Sequence, residues 1–394
     1  MAIQNDKQFD FIIAGAGAAG LSLLRCMADD PFFSDKRILL ADRSVEPKRD
    51  KTWCFWQKEK NLPESFLFKT WDSLEVFFEE ESFSEQLSEY SYACIRSDVY
   101  AEKVHSAILD KPNISVLETE IHSFGVVMDQ GIMNTGNGEY RAPFIFQSAL
   151  KPVGFDAFKV DLSLKQHFLG WHIKANRPLF DPGKATFMDF KVLQQDGVTF
   201  VYVLPFHTHE ALVEYTVFSE NVLPEEVYSK EIQEYIKKRY GCSEKEYEIV
   251  YKESGVIPME DRRYASKYND RVYNIGIVGG AAKPSTGYTF SRIQKQSKEI
   301  VEMLKKGVEP ELSDSSPYRY RAYDMLLLYQ LAHHPEKSLR IFRYLFKNNS
   351  MDSVLRFLDE SGHFGQDLSI MYSVPWYPFF QSIWKMRKRL ITGA

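Results

Sequence analysis

Residues 9–30, "FDFIIAGAGAAGLSLLRCMADD", limit the possible folds of this chain more than any other stretch. A short apolar strand, Phe9 to Ala14, runs into Gly15-x-Gly17-x-x-Gly20 and then into a helix. Each glycine has its own task. Gly15 permits the tight turn, Gly17 lets the backbone approach a pyrophosphate, and Gly20 lets the helix pack closely on the strand. The free N–H groups at the helix start then face the phosphates. A second strand, "RILLA", ends at Asp42, 22 residues after Gly20, where a carboxylate takes a ribose 2′-hydroxyl. Asp42 argues against a 2′-phosphate there, while Arg43 beside it keeps that alternative open. The chain therefore begins as a Rossmann-like dinucleotide-binding domain.

This fingerprint alone does not separate FAD from NAD. The discriminating segment lies downstream, in "DRVYNIGIVGGAAKPSTGYTFSRIQKQSKEIVEML". It reads as a strand over Val272–Val278, a Gly279-Gly280 pair, a loop with Pro284 and Gly287, and a helix. A second glycine-bearing strand–loop–helix serves an FAD enzyme, which must reach the ribityl chain, pyrophosphate and ring. A simple NAD dehydrogenase has no need for it. In "YACIRSDVYAEKVHSAIL" a strand runs into Arg96 and a helix starts at about Ser97. Arg96 either meets flavin phosphate or ring edge, or is a surface cation at a helix start.

The stretch "EALVEYTVFS", 210–219, is a strand with one misfit. Leu212, Glu214, Thr216 and Phe218 share one face, and Ala211, Val213, Tyr215 and Val217 the other. Both faces are mostly apolar, so the strand is expected to be covered on both sides with Glu214 embedded in it. Asp189, in "FMDF", is a second embedded carboxylate in the preceding strand. It either faces the same cavity as Glu214 or holds a loop through backbone hydrogen bonds. Pro258, in "SGVIPME", either shapes the passage back to the nucleotide domain or is a plain turn proline.

Composition excludes several classes. A chain of 394 residues with 44% apolar content suits two or three domains around a large interior. A net charge of −5 gives no general attraction to nucleic acid, and no nucleic-acid-reading motif is present. Cys26, Cys54, Cys94 and Cys242 lie far apart without CxxC spacing, which argues against disulfides or zinc and for a reducing cytoplasm. The polar start "MAIQNDKQFD" predicts no signal peptide. No apolar run reaches the length of a membrane-spanning helix.

With these pieces placed, the chain resembles the bacterial lycopene β-cyclase family, which shares its FAD-binding fold with geranylgeranyl reductases and aromatic hydroxylases. The likeness covers most of the chain. It rests on "AGAGAAGLSL", "DKTWCFW", "FMDF", "FVYVLPF…ALVEYTVFS" and "GGAAKPSTGYTF", in the family's order. Thr52 to Trp56 and the run Pro284 to Tyr288 are the most specific parts. General FAD hydroxylases show a Gly-Asp pair near 280, where this chain reads Gly-Gly-Ala.

The resemblance implies closure of the linear ψ ends of lycopene into β-rings, through γ-carotene to β-carotene. That reaction has no net redox change, yet the family needs reduced FAD, with NAD(P)H as electron source. It calls for a carboxylic acid in a dry pocket, because burial keeps the acid protonated. Aromatic faces or an anionic flavin then stabilise the cation. Glu214 matches the family's acidic position and becomes the proton donor or cation-stabilising carboxylate. The second acidic position of that motif is Tyr215 here, and by period two it points away from Glu214. Asp189 ranks second. Arg96, Gly279, Gly280, Pro284, Gly287 and Tyr288 join the FAD set, and Trp53, Phe55 and Trp56 the substrate set.

The expected architecture is α/β. A Rossmann-like FAD-binding domain is assembled from about 1–58, 90–150 and 265–310. An inserted β-sheet substrate domain takes 59–89 and 151–264. A helical C-terminal region covers 311–394, with a boundary near "ELSDSSP", 311–317. The C-terminus concentrates Trp376, Tyr377, Phe379, Phe380 and Trp384, followed by Lys385, Arg387, Lys388 and Arg389. That order suits the headgroup region of an anionic membrane, or equally a helix packing its rings on the core. A carotene substrate favours a cytoplasmic protein held at the inner membrane surface. Two rivals share these features: a redox flavoenzyme of the same fold, either prenyl reductase or monooxygenase, and a non-catalytic carotenoid- or flavin-binding protein.

Overall fold

A computed structural model describes residues 7–58, 62–151, 160–310 and 316–392. Most of the boundary read at 311–317 therefore lies outside the described residues. The chain opens with β1 (Phe11–Ala14), α1 (Ala18–Asp29), β2 (Ile38–Asp42) and β3 (Thr52–Gln57). Next come β4 (Lys69–Trp71), β5 (Ser73–Phe77), β6 (Ser82–Gln86), β7 (Ser91–Arg96) and α2 (Ser97–Ile108). Then follow β8 (Ile114–Glu118), β9 (Ile121–Val127), β10 (Gln130–Thr135), β11 (Gly138–Ala142) and β12 (Phe144–Gln147).

The middle of the chain forms β13 (Ser163–Ala175), β14 (Ala185–Asp189), β15 (Val198–His207), β16 (Glu210–Ser219), α3 (Glu225–Tyr240) and β17 (Tyr247–Glu260). It returns through β18 (Lys267–Asn269), β19 (Val272–Asn274) and α4 (Phe290–Lys305). The last part is helical: α5 (Tyr318–His333), α6 (Pro335–Asn348), α7 (Met351–Leu358), α8 (Phe364–Ser373) and α9 (Tyr377–Thr392).

Two sheets organise these elements. The first runs β18-β19-β12-β1-β2-β8, parallel except for the β18–β19 pair. Its central strand β1, "FIIA", is buried throughout, as parallel strands covered on both faces must be. The second sheet runs β17-β13-β16-β15-β14-β5-β6 and is antiparallel apart from the β14–β5 pair. A small sheet, β3-β7-β4, lies between them in sequence and packs into both cores.

The alternation in β16 is realised on two faces of the second sheet. Ala211, Val213, Tyr215 and Val217 share a core with Tyr228, Ile232 and Ile236 of α3. Leu212 and Phe218 share the opposite core with Leu328 of α5, Phe342 of α6 and rings from the small sheet. Both sides of the strand are covered by protein, which is why neither face carries the usual polar half of an exposed strand.

Candidate active site

At the N-terminal turn the three glycines differ in what surrounds them. Gly15 has φ +116°, and a Cβ there would lie 2.4 Å from Ser148 Oγ. A Cβ on Gly20 would fall 1.8 Å from the Gly15 carbonyl oxygen. A Cβ on Gly17 would meet nothing within 4 Å. Two positions are thus closed by protein and one faces open space. That space is a cavity of about 540 Å³ lined by Ala16, Gly17, Asp42, Arg43, Ser44 and Trp53, among others. Asp42 accepts hydrogen bonds from Ala16 N (2.6 Å) and Ser44 N (3.2 Å), which fix its carboxylate at the cavity edge. Helix α1 begins without a side-chain cap and without an acid in its first turn, so its free N–H groups and positive dipole end suit an anion. Volume, glycine opening and carboxylate together fit a dinucleotide.

The returning segment departs from expectation in one respect. The strand read over Val272–Val278 stops at Asn274, and Gly276–Gly279 form a tight helical turn. Positive φ at Gly276 (+65°) and Gly280 (+79°) turns the chain there, and a Cβ on Gly279 would sit 2.3 Å from Asn274 O. Pro284 lies half-buried in the following turn. Gly287 (φ +70°) would place a Cβ 2.3 Å from Gln166 Oε1, and Tyr288 follows. Around this loop Gln166 Oε1, Trp56 Nε1 and Thr286 Oγ1 are buried without hydrogen-bond partners. Buried polar atoms are rarely left so, and a group rich in donors and acceptors would satisfy them. The loop is fastened to the helical region. Lys283 Nζ donates to Asp324 (3.0 Å) and Glu360 (2.7 Å), Ser285 Oγ donates to Asp324 (2.6 Å), and Arg292 donates to Glu360 (3.1 Å).

Arg96 ends β7 as read, with α2 starting at Ser97. Its guanidinium pairs with Asp98 and lies 5.0 Å over the Phe68 ring. Ser97, rather than Arg96, lines the dinucleotide cavity.

The aromatic segment Trp53–Trp56 divides between two sides because strand side chains alternate. Trp53 and Phe55 pack on Phe290, at 5.5 and 5.1 Å between ring centres, within the nucleotide-side core. Trp56 faces the other way, 4.4 Å from Tyr288 and 6.5 Å from Phe187. Of the three residues expected to line substrate, only Trp56 reaches the face of the second sheet that carries Glu214.

Glu214 lies deep in the protein, although its side chain is not wholly closed off. Tyr202 is its cross-strand partner on β15, and the Tyr202 hydroxyl meets that of Tyr288 at 3.2 Å. Thr216 Oγ1 donates to Glu214 Oε1 at 3.2 Å. Burial first, and the nearby Glu253 carboxylate second, push the Glu214 carboxyl well above the usual range.

Glu253, on β17, escaped the sequence reading. In the ladder Gly170 of β13 is opposite Glu214 on one side and Glu253 on the other. A Cβ at Gly170 would lie 3.2 Å from Glu253 Cγ and 3.4 Å from Glu214 Cβ. Glu253 accepts from Thr52 Oγ1 (2.7 Å) and Thr52 N (3.3 Å). Burial raises its carboxyl, while those bonds and the charges of Lys51 and Arg49 act against the rise. The available signal was a second carboxylate in an alternating strand, "YEIVYKESGVIPME". Pro258 lies in this strand, at the edge of the sheet, where a missing N–H is tolerated, and not in a turn.

Asp189 does not join Glu214. Strand β15 separates β14 from β16, and Asp189 is opposite Val201, on the α3 side of the sheet. It accepts from Lys191 N (2.9 Å) and the Tyr235 hydroxyl (2.8 Å), with Arg239 at 3.9 Å. A register irregularity between Thr186 and Asp189 rotates the strand end away from the face carrying Phe187. Asp189 therefore holds α3 and the following turn, the second of its two expected roles.

At the C-terminus Trp376, Phe380 and Trp384 are 60%, 56% and 62% exposed. Arg387 lies 4.6 Å over Trp384. Arg389, the last of the basic cluster, is bridged to Asp161 (2.7 Å) and Asp261 (3.1 Å) and pins α9 to the body. Among the described residues no helix is long and apolar enough to cross a membrane, and no group of His, Cys, Asp and Glu is arranged to hold a metal ion.

Solved structures with this architecture are flavoenzymes and their relatives. A geranylgeranyl bacteriochlorophyll reductase-like protein from Thermoplasma acidophilum aligns with TM-score 0.60 at 12% identity, covering 97% of this chain and 99% of its own. A halogenase crystallised with FAD aligns with TM-score 0.61 at 14% identity, over 98% and 93%. Two curated relatives are lycopene beta-cyclases. The Paracoccus sp. protein is 26% identical over 71% of this chain and 70% of its own length, and the Pantoea ananas protein 25% over 72% and 71%. The sequence profile described as "Lycopene cyclase protein" matches residues 10–384, and on that span the chain belongs to the lycopene cyclase family.

Proposed function

We propose that this protein is a lycopene β-cyclase, closing the ψ end groups of lycopene to β-rings through γ-carotene to β-carotene without net oxidation. One observation carries the reading: burial and the Glu253 carboxylate push the Glu214 carboxyl well above the usual range, which favours its proton-bearing form, on the face where Tyr202, Tyr288 and Trp56 meet. An acid of this kind protonates the terminal alkene carbon of an end group and leaves a tertiary cation. Ring faces at this site stabilise positive charge during closure. The ring then loses a proton from carbon, and Glu214, now ionised, is placed to take it back.

Gly15, Gly17, Gly20 and the start of α1 would hold the pyrophosphate of FAD, Asp42 a ribose hydroxyl, and Arg43 the cavity rim. Gly279, Gly280, Pro284, Gly287 and Tyr288 would border the ring, where the unpartnered polar atoms lie. FAD held there in its reduced form, with NAD(P)H as electron donor, would supply an electron-rich ring able to stabilise the developing cation.

A hydrocarbon substrate is further supported by a cleft of about 280 Å³ among α5, α6, α8 and α9. It is lined by Leu326, Leu327, Ile341, Leu345, Phe357 and Phe379, among others. Its rim carries the exposed Trp376 and Phe380, and the Trp384–Arg387 pair follows on α9. We take this face as the one that rests on a membrane surface.

The deciding experiment is anaerobic incubation with lycopene and reduced FAD. Cyclic pigment should form with no stoichiometric loss of NAD(P)H. One NAD(P)H consumed per ring would overturn the reading in favour of a redox enzyme. Gly17→Val tests the cofactor placement separately. The protein itself leaves room for that side chain, so a folded, colourless variant is expected, and a folded yellow one would reject the site.

A further inference from the structure

We infer that Glu253 is the positioning residue of the acid: across the gap left by Gly170, its carboxylate holds the proton on Glu214. This rests on the reading of Glu214 as proton donor and deepens it. The ladder supplies the geometry. Residues directly opposite one another in neighbouring strands point to the same face, so Glu214, Gly170 and Glu253 form one row across β16, β13 and β17. The outer two strands are about 10 Å apart, too far for short side chains but within reach of two glutamates if the middle position is empty. Gly170 empties it: a Cβ there would crowd Leu212 Cδ1 and Glu253 Cγ and touch Glu214 Cβ.

The two acids are not equivalent. Glu253 receives the Thr52 hydroxyl and N–H, and Lys51 and Arg49 are its cationic neighbours. Glu214 receives one hydroxyl, at 3.2 Å, and shares the influence of Lys51 but not that of Arg49. Hydrogen bonds and cations favour the ionised form of whichever group they touch. One negative charge shared by the row therefore settles on Glu253 and leaves the proton on Glu214. The other titratable groups facing the pair are Cys54, Tyr202 and Tyr288 near Glu214, with Cys94 and Tyr251 near Glu253. Burial pushes all five up, so they stay neutral and do not supply the charge.

In the reaction the proton leaves Glu214 for the alkene carbon, and the row then carries two negative charges opposite one carbocation. After ring closure a ring C–H bond breaks, its electron pair forms the ring double bond, and the proton returns to Glu214. Glu253 neither gains nor loses a proton, and the sum is an isomerisation.

The test is the pH profile of kcat/KM for lycopene conversion by the FAD-loaded enzyme. An acid that must be protonated gives activity that falls as pH rises through its pKa. Glu253→Gln removes the neighbouring charge, so this alkaline limb should move to lower pH by about one unit or more. Glu253→Asp keeps the charge and should leave the limb within a few tenths of a unit. A residue that merely packs would lower the rate without moving the limb. If Glu253→Gln does not fold, Thr52→Val carries the test. It loosens the anion at 253 and should move the limb the same way by less. An unmoved limb in a folded Glu253→Gln, or in Thr52→Val should that variant have to stand in, overturns the inference. Glu214→Gln measured alongside separates the two levels. If it is inactive while the limb stays, only the role of Glu253 fails; if it turns over at the parent rate, the assignment of the acid itself fails.

Discussion

Glu214 and Asp189 belong to one sheet, two strands apart in order, and look alike by sequence: single carboxylates in apolar strands. Burial pushes both carboxyls upward. Their neighbours differ. Asp189 has a backbone N–H, a phenol and a guanidinium acting downward, and all three belong to fixed protein. Glu214 has one hydroxyl and the charge of Lys51 acting downward, against a second carboxylate acting upward. Burial alone therefore does not separate the two carboxylates; on the proposed assignment, the sign of the second neighbour does.

The largest test of this contrast is turnover. Glu214→Gln should lose about 10²–10⁴-fold in cyclisation, the usual scale of general acid catalysis, while keeping its FAD. Asp189→Asn, assayed in the same preparation, should stay within a few-fold of the parent. Comparable losses in both would break the comparison.

Stability should sort the pair the other way. Asp189→Asn puts an NH2 donor in place of one of the two oxygens that accept from Lys191 N and the Tyr235 hydroxyl, and a loss of about 1–3 kcal/mol in denaturant unfolding is expected. For Glu214 the sign follows from its raised carboxyl. Its contribution to the parent's stability is fully present below the unfolded carboxyl pKa, about 4.3, and is lost as pH rises through the higher folded value. Glu214→Gln lacks that loss, so it should match the parent near pH 4 and equal or exceed it at pH 7–8. A variant markedly less stable than the parent at pH 8 would contradict the assignment.

A smaller effect sharpens the picture. The Thr216 hydroxyl favours ionised Glu214, so Thr216→Val should move the alkaline limb to higher pH, opposite to the effect of Glu253→Gln. The same direction in both would mean that the limb does not report Glu214.

How much of this was legible in the sequence depended on range. The tasks of Gly15, Gly17 and Gly20 are local backbone geometry, so a few neighbouring residues sufficed to read them. Glu214 was legible because period two needs only its own strand. The side of Asp189 was not, because the irregularity after Thr186 breaks that period. Nor was Glu253, whose meaning comes from the register of β13 against β17, set by pairing between remote segments. Gly170, in "FLGWHI", carries no local sign that it separates two acids. The helix α3 inside the sheet segment was also passed over, although its acids come first and its basic residues last, as the dipole favours.

The ionic cluster that ties Lys283, Ser285 and Arg292 to Asp324 and Glu360 has a consequence for cooperativity. Its members come from the loop of Lys283 and Ser285, from α4, from α5 and from the turn just after α7. Breaking a buried ion pair by withdrawing one partner costs about 3–5 kcal/mol, because the other charge is left without compensation. Neither the loop nor the helices can open singly without meeting that penalty. They should therefore exchange their amide hydrogens as one unit, with a common opening free energy, even though long stretches of chain separate them. The loop that carries Gly287 and Tyr288 and the helices that hold the apolar cleft should then behave as a single cooperative element.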